Sequence, residues 1–258
     1  MAISINSIRR VSNERPPIVV VYGGPGIGKT TFAACAPDVV FVRVEDGLGN
    51  LTANAFEIAK TFGEVIEQLE AIRDQQHGYR WLALDSLSAL EPLIWDAVCV
   101  ADGKKSIEDF GFGKGYVQAG NEWRKFFDLL GQIVAKGIGC ILIAHSEVVR
   151  FESPEVPAYD RAQIKLHKRA FGLVYERADV IGYAAPQVNV ITEKNGEQSR
   201  GRGINTGERL LHLTEKPAFV AKNRFSFPSF LPLAWPAFYA ALQAAVAPPA
   251  PAPTTQPN

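Results

Sequence analysis

The run Gly23-Gly24-Pro25-Gly26-Ile27-Gly28-Lys29-Thr30 fits the pattern Gly-x-x-x-x-Gly-Lys-Ser/Thr, with a further hydroxyl at Thr31. Glycines at these positions let backbone N–H groups turn inward around a chain of phosphates, and the lysine reaches the β/γ oxygens. The Thr30 hydroxyl is placed to ligate Mg²⁺ at a helix N-terminus, and Thr31 falls near the α-phosphate. A glycine-rich turn with an ordinary surface lysine is the plainer alternative. The apolar run Ile18 to Tyr22 before the pattern argues against it, because the motif works between a strand and a helix.

Two carboxylates complete the candidate chemistry. Trp81-Leu82-Ala83-Leu84 is an apolar strand ending in Asp85-Ser86, the form of a Walker B strand, and Asp85 would hold Mg²⁺ through its water shell. Taken alone, an aspartate there is a turn or cap residue. Hydrolysis also needs a group that orients or deprotonates the attacking water. Glu45, after Phe41-Val42-Arg43-Val44, is the candidate; Asp46 is its rival, with a turn residue before Gly47 as the blander reading.

These residues need a scaffold that brings strand ends together. Apolar, β-branched runs at Ile18 to Tyr22, Val39 to Val44, Trp81 to Leu84, Cys140 to Ala144 and Val180 to Tyr183 read as strands buried on both faces. Helical periodicity runs from Thr61 to Gln76, opened by a Thr61/Glu64 capping box, and from about Val117 to Lys136. Such alternation predicts a parallel sheet covered on both sides. Val188 to Thr192, Arg209 to Leu213 and Ala218 to Ala221 read as antiparallel additions, and Pro236 to Val246 as a closing helix. The expected layout is an N-terminal segment 1–14, a core 15–246 and a disordered Ala/Pro-rich tail 247–258.

A formal net charge of +0 restricts any nucleic-acid surface to a local patch. Cys35, Cys99 and Cys140 form neither a Cys-x-x-Cys pair nor an even set, so no disulfide framework or zinc site is indicated. Arg9, Arg10 and Arg15 have no apolar signal core between them, and no stretch is long enough to span a bilayer; a cytoplasmic protein without membrane contact is expected.

Together the motifs resemble the RecA family, over about residues 15 to 232. Phe41-Val42-Arg43-Val44-Glu45, Leu84-Asp85-Ser86-Leu87-Ser88-Ala89-Leu90 and Ile141-Leu142-Ile143-Ala144-His145 carry the likeness. The compact length is closest to short RecA-core proteins of bacteriophages, some of them single-strand annealing recombinases. The resemblance implies an α/β fold with a RecA-like P-loop NTPase core: a mostly parallel central sheet flanked by helices, with antiparallel strands toward the C-terminus. It also implies ATP with Mg²⁺, Glu45 as the activator of water, and His145 as the γ-phosphate sensor, a position held by glutamine in RecA. Lys222 and Arg224, in Lys222-Asn223-Arg224, would reach the phosphates of a neighbouring subunit, making the protein a homo-oligomer, ring or filament.

Two long stretches correspond to the DNA-binding loops of RecA. Ala101 to Gln118 carries Lys104, Lys105 and Lys114, and Glu147 to Lys165 carries Arg150, Arg161 and Lys165 before Lys168 and Arg169. Basic residues among aromatics suit a single strand, since cations track phosphates and rings stack on any base. Plain solvated loops are the competing explanation, and Asn195 to Gly203, with Arg200 and Arg202, is either a further basic site or a hairpin tip. The resulting expectation is an ATP-dependent, single-stranded-DNA-binding recombinase or annealing protein, with replication or recombination proteins as further partners. The alternatives are a hexameric DnaB-like motor and an ATP-binding switch or scaffold without DNA contact.

Overall fold

The computed structural model describes residues 4–9, 15–195 and 198–246. The expected tail 247–258 and residues 10–14 of the N-terminal segment lie outside the described residues, as do the side chains of Arg200 and Arg202. In chain order the elements are β1 (Ile18–Gly23), α1 (Lys29–Ala34), β2 (Val39–Arg43), β3 (Asn54–Ala55), α2 (Phe62–Asp74), β4 (Trp81–Asp85), α3 (Leu87–Ala101), α4 (Lys114–Ala135), β5 (Gly139–Phe151), β6 (Tyr159–Ile164), α5 (Lys168–Arg177), β7 (Val180–Asn195), β8 (Gln198–His212), β9 (Lys222–Asn223), β10 (Phe230–Pro232) and α6 (Trp235–Val246).

The sheet runs β10-β8-β7-β1-β5-β4-β2-β3. From β7 to β3 every neighbouring pair is parallel, while β8 and β10 join antiparallel at the other edge. The fold is therefore α/β, with a mostly parallel centre and an antiparallel extension toward the C-terminus. β1 is buried at all its positions, and its alternation divides the core. Ile18, Val20 and Tyr22 pack with Leu69, Trp123 and Phe127 from the α2 to α4 side. Val19 and Val21 pack with Phe32 and Phe238 from α1 and α6. Each large aliphatic or aromatic side chain buried there contributes roughly 1.5–3 kcal/mol of transfer free energy.

Local rules set the helix starts. The Glu64 N–H donates to Thr61 Oγ1 at 3.2 Å, as an N-cap requires, but Glu64 Oε2 accepts from the Lys60 N–H at 2.8 Å rather than from the Thr61 amide, so the anticipated capping box forms only in its N-cap half. Ser86 caps α3, its Oγ accepting from the Ala89 N–H at 3.3 Å. α3 has Pro92 in its interior, a residue that breaks a helical signal in sequence.

Several expectations are corrected. Val180 to Tyr183 and Val188 to Thr192 are one strand, β7, whose pairing with β8 shifts register between Pro186 and Val188. Ala218 to Ala221 is not a strand; Phe219 makes isolated bridges to Ala162 and Lys216. Neither long stretch is an irregular loop. The first contains a 3-10 turn at Ile107–Phe110 and the opening of α4 at Lys114. The second is mostly the outer half of β5 paired with β6, in register from Ser146↔Ile164 to Phe151↔Tyr159. That hairpin leaves the buried sheet, so charged residues occupy both its faces and the apolar alternation that reveals a half-buried strand is missing.

Candidate active site

β1 delivers the glycine-rich loop at the C-terminal edge of the parallel strands, where neighbouring strand ends converge. Gly26 and Gly28 have φ of 72° and 106°, a left-handed conformation that a side chain would strain. The first helical bond of α1 runs from the Phe32 N–H to Gly28 O at 2.9 Å, so the amides of Lys29, Thr30 and Thr31 lie ahead of it at the open helix end. Pro25 and Ile27 shape the turn between the glycines, Gly24 follows β1, and Thr31 is exposed on the first turn of α1.

Lys29 is 6% exposed, and its ammonium donates to Gly23 O at 3.0 Å and Gly24 O at 2.9 Å. Burial pushes its pKa below the ordinary lysine value, while Asp85 and Glu45 pull it back up. Thr30 Oγ1 donates to Asp85 Oδ2 at 3.0 Å. Asp85 is 4% exposed, and burial drives its carboxyl above the usual range; the Thr30 bond opposes this, and the Glu45 charge reinforces it. A Cβ on Gly47 would lie 2.5 Å from Asp85 Oδ2, so the turn after β2 approaches the carboxylate as only glycine permits.

Glu45 is fixed through its backbone, since Asp85 O accepts from the Val44 N–H at 2.8 Å and the Glu45 N–H at 3.3 Å. Its Oε1 lies 3.1 Å from His145 Nε2, and His145 pairs in register with Gly23. Lys29, Thr30, Asp85, Glu45 and His145 are thus one constellation drawn from four segments. Asp46 is exposed on the turn and outside this network. β2 ends at Arg43, so Glu45 sits just beyond the strand rather than in it. The residues fit a metal-bound triphosphate: open amides and a buried ammonium for phosphate oxygens, and a hydroxyl beside a buried carboxylate for a hard, oxygen-seeking cation.

Lys222 and Arg224 are not brought to this site. β9 pairs with the first residues of β7, Val180↔Asn223 and Ile181↔Lys222, whereas Gly23 pairs with Ala184. They therefore lie roughly 13 Å of strand away, toward the opposite edge of the sheet. Lys222 Nζ donates to Tyr175 O and Glu176 O, and Arg224 donates to Asp179 Oδ1 at 3.1 Å and Glu176 O at 2.9 Å. Within one subunit both serve the fold.

The basic candidates also divide. Arg161 is bound to Glu215 Oε1 at 2.6 Å and lies over the Phe151 ring, and Arg150 pairs with Asp160 at 3.5 Å. Lys104, Lys105, Lys114, Lys165, Lys168 and Arg169 are exposed. Two site residues escape sequence reasoning. Arg209 Nη1 donates to Ile27 O at 3.2 Å from a strand far along the chain, with no local motif to mark it. Ser88 Oγ accepts the His145 N–H and donates to Lys165 O, both at 3.1 Å, tying the β5–β6 hairpin to the helix that follows Asp85.

A glycine-rich loop between a buried strand and a helix, with a buried aspartate at the end of a nearby strand, is the arrangement of a P-loop ATPase. Residues 15–225 match the AAA domain family, and the chain belongs to it. No curated protein matches the chain. Among the described residues no helix is long and apolar enough to cross a membrane.

Proposed function

We propose that this protein is an ATP- and Mg²⁺-dependent ATPase that binds single-stranded DNA and acts in recombination or annealing, as some short phage-encoded RecA-core proteins do. The observation that carries the hydrolytic part is the Lys29, Thr30, Asp85 and Glu45 constellation, with His145 on the Glu45 carboxylate. The loop amides and Lys29 hold the β- and γ-phosphates, and Thr30 and Asp85 hold Mg²⁺, Asp85 through water. A Mg²⁺ held by these residues would supply positive charge against that of the phosphate tail. Glu45 orients a water and takes its proton as the water oxygen attacks the γ-phosphorus and the bond to ADP breaks. His145 links that carboxylate to the hairpin, since its own amide and Lys165 share Ser88.

DNA binding is supported by the exposed Lys165 and Lys168 just after that hairpin and by the exposed Lys104, Lys105 and Lys114 near the ends of the 102–113 connection. Lys222 and Arg224 serve a neighbouring subunit in this reading, exchanging their intramolecular carbonyl partners, and for Arg224 also Asp179, for phosphates in a head-to-tail ring or filament. The deciding experiment is ATP turnover against added single-stranded DNA at low salt, beside Lys29→Ala. Turnover that rises with DNA and vanishes in the variant supports the proposal. Turnover indifferent to DNA points to an ATP-binding switch, and directional unwinding of a fork to a DnaB-like motor.

A further inference from the structure

α4 and α5 enclose a cleft of about 240 Å³ with Arg124, Lys168 and Arg169 at its rim, Gly120 and Gly172 in its lining, and Glu176 at one lip. Among the described residues none of these three cations has a carboxylate partner; the side chain of Arg124 bonds to Asn121 Oδ1 at 2.8 Å. Elsewhere on the same helices the usual pairing holds, as in Arg177 with Asp128 at 3.1 Å and Lys125 with Glu122 at 2.7 Å. The cleft is therefore a local concentration of unneutralised positive charge on a chain whose net charge is +0.

Two features show that the charge and the space are not there for the helices' own benefit. Lys168 and Arg169 open α5, whose first turn has no acid, and cations at that end oppose the helix dipole. With burial as the larger cause, the same two charges depress the pKa of His167 beside them. Glycine in a helix interior is weaker than alanine, so Gly120 and Gly172 need a packing reason. Neither has one: a Cβ on Gly172 would meet nothing within 4 Å, and one on Gly120 would meet Arg124 Nη1 at 3.9 Å. The missing side chains keep the cleft open.

We propose that this cleft, which meets the end of the first DNA-loop-like stretch at Tyr116 and Val117 and is otherwise built by α4 and α5, seats backbone phosphates of a single-stranded nucleic acid. The assignment rests on the nucleic-acid reading of the preceding section. Lys114 and Lys165 extend the positive track, each exposed and two residues from the stacked rings of Tyr116 and His167, so a polymer fits better than one small anion. Glu108, bonded to the Tyr116 hydroxyl, and Glu176 are the acids at its margin. The cleft is also wired to the nucleotide site. Both Glu91 oxygens accept the His167 N–H at 3.0 Å, and Ser88, one turn earlier on α3, joins Lys165 to His145.

The test is fluorescence anisotropy of a labelled oligothymidylate with the full chain, in two variants. Gly172→Leu fills the cleft without altering charge and favours the helix; Arg124→Ala/Lys168→Ala/Arg169→Ala removes the cations and leaves the space. Each is expected to weaken binding by about tenfold or more, and the triple variant to reduce the salt slope of log K by about 2. Gly172→Leu should melt no lower than the unaltered protein, and the triple variant should keep a cooperative melting transition. Unchanged affinity in both variants overturns the cleft while leaving DNA binding intact. An unaltered protein that binds no oligonucleotide, even if inorganic phosphate binds, overturns both.

Discussion

Two carboxylates, one near each edge of the sheet, are buried to the same degree and treated in opposite ways. Asp179, 3% exposed, accepts from the Ile18 N–H at 3.0 Å, from Arg15 at 3.1 Å and from Arg224 at 3.1 Å. Among the described residues, the side chain of Asp85, 4% exposed, has one hydrogen-bond donor, the Thr30 hydroxyl. A buried carboxylate that the chain saturates locks strands in place; one left with a hydroxyl and no cation in contact bears its desolvation until something charged arrives. The first arrangement serves stability; the second is the one the proposed ATPase uses for chemistry.

The contrast is sharpest in paired substitutions. Asp85→Asn is expected to lower ATP turnover by roughly a hundred- to a thousandfold without lowering the melting temperature, because it removes a desolvated charge. Asp179→Ala should do the reverse, costing about 2–4 kcal/mol in denaturant unfolding through an unpaired Ile18 amide and lost ion pairs, with nucleotide affinity intact. The comparison collapses if Asp85→Asn proves the more destabilising of the two.

Proton linkage gives a smaller effect at a third buried acid. Glu91 is 7% exposed, and burial lifts its pKa from 4.5 to about 7. The folded state therefore holds a proton that the unfolded state releases, so stability is greatest below 4.5 and declines as pH rises to about 7. The decline attributable to this group is at most about 3 kcal/mol, and melting curves of Glu91→Gln across that window should be flatter than those of the unaltered protein. An identical pH slope in the variant would remove Glu91 as the cause. The same sign holds for Asp85, whose raised pKa also means that Mg²⁺ affinity climbs with pH as the carboxyl ionises. The smallest change is Thr61→Ala, which removes the N-cap of α2 and should cost about 1 kcal/mol in chemical denaturation, with turnover untouched.

The parts legible in the sequence were those carried by local spacing. The loop from Gly23 to Thr30, the Asp85 strand and the Thr61 cap each announce themselves within a few residues, because the chemistry and the backbone conformation are contiguous. The outer half of β5 was hidden because both faces of its hairpin carry charge, and the Phe219 segment because a pair of bridges leaves no periodicity. Arg209 and Ser88 were invisible for a different reason: they act on Ile27 and His145, partners brought near by the sheet rather than by the chain. Lys222 and Arg224 show the converse: the sequence marks them as a motif, and within the chain the fold gives them partners on Tyr175 and Asp179 that no local pattern announces.

The most direct test separates holding the nucleotide from cleaving it. Glu45→Gln keeps the shape and the contact with His145 and removes the proton acceptor, so ATP affinity should stay close to that of the unaltered protein while single-turnover hydrolysis falls about a hundredfold or more. Hydrolysis at the original rate, with ATP still bound, would contradict the role given to the carboxylate that joins β2, β4 and β5 at the phosphate edge.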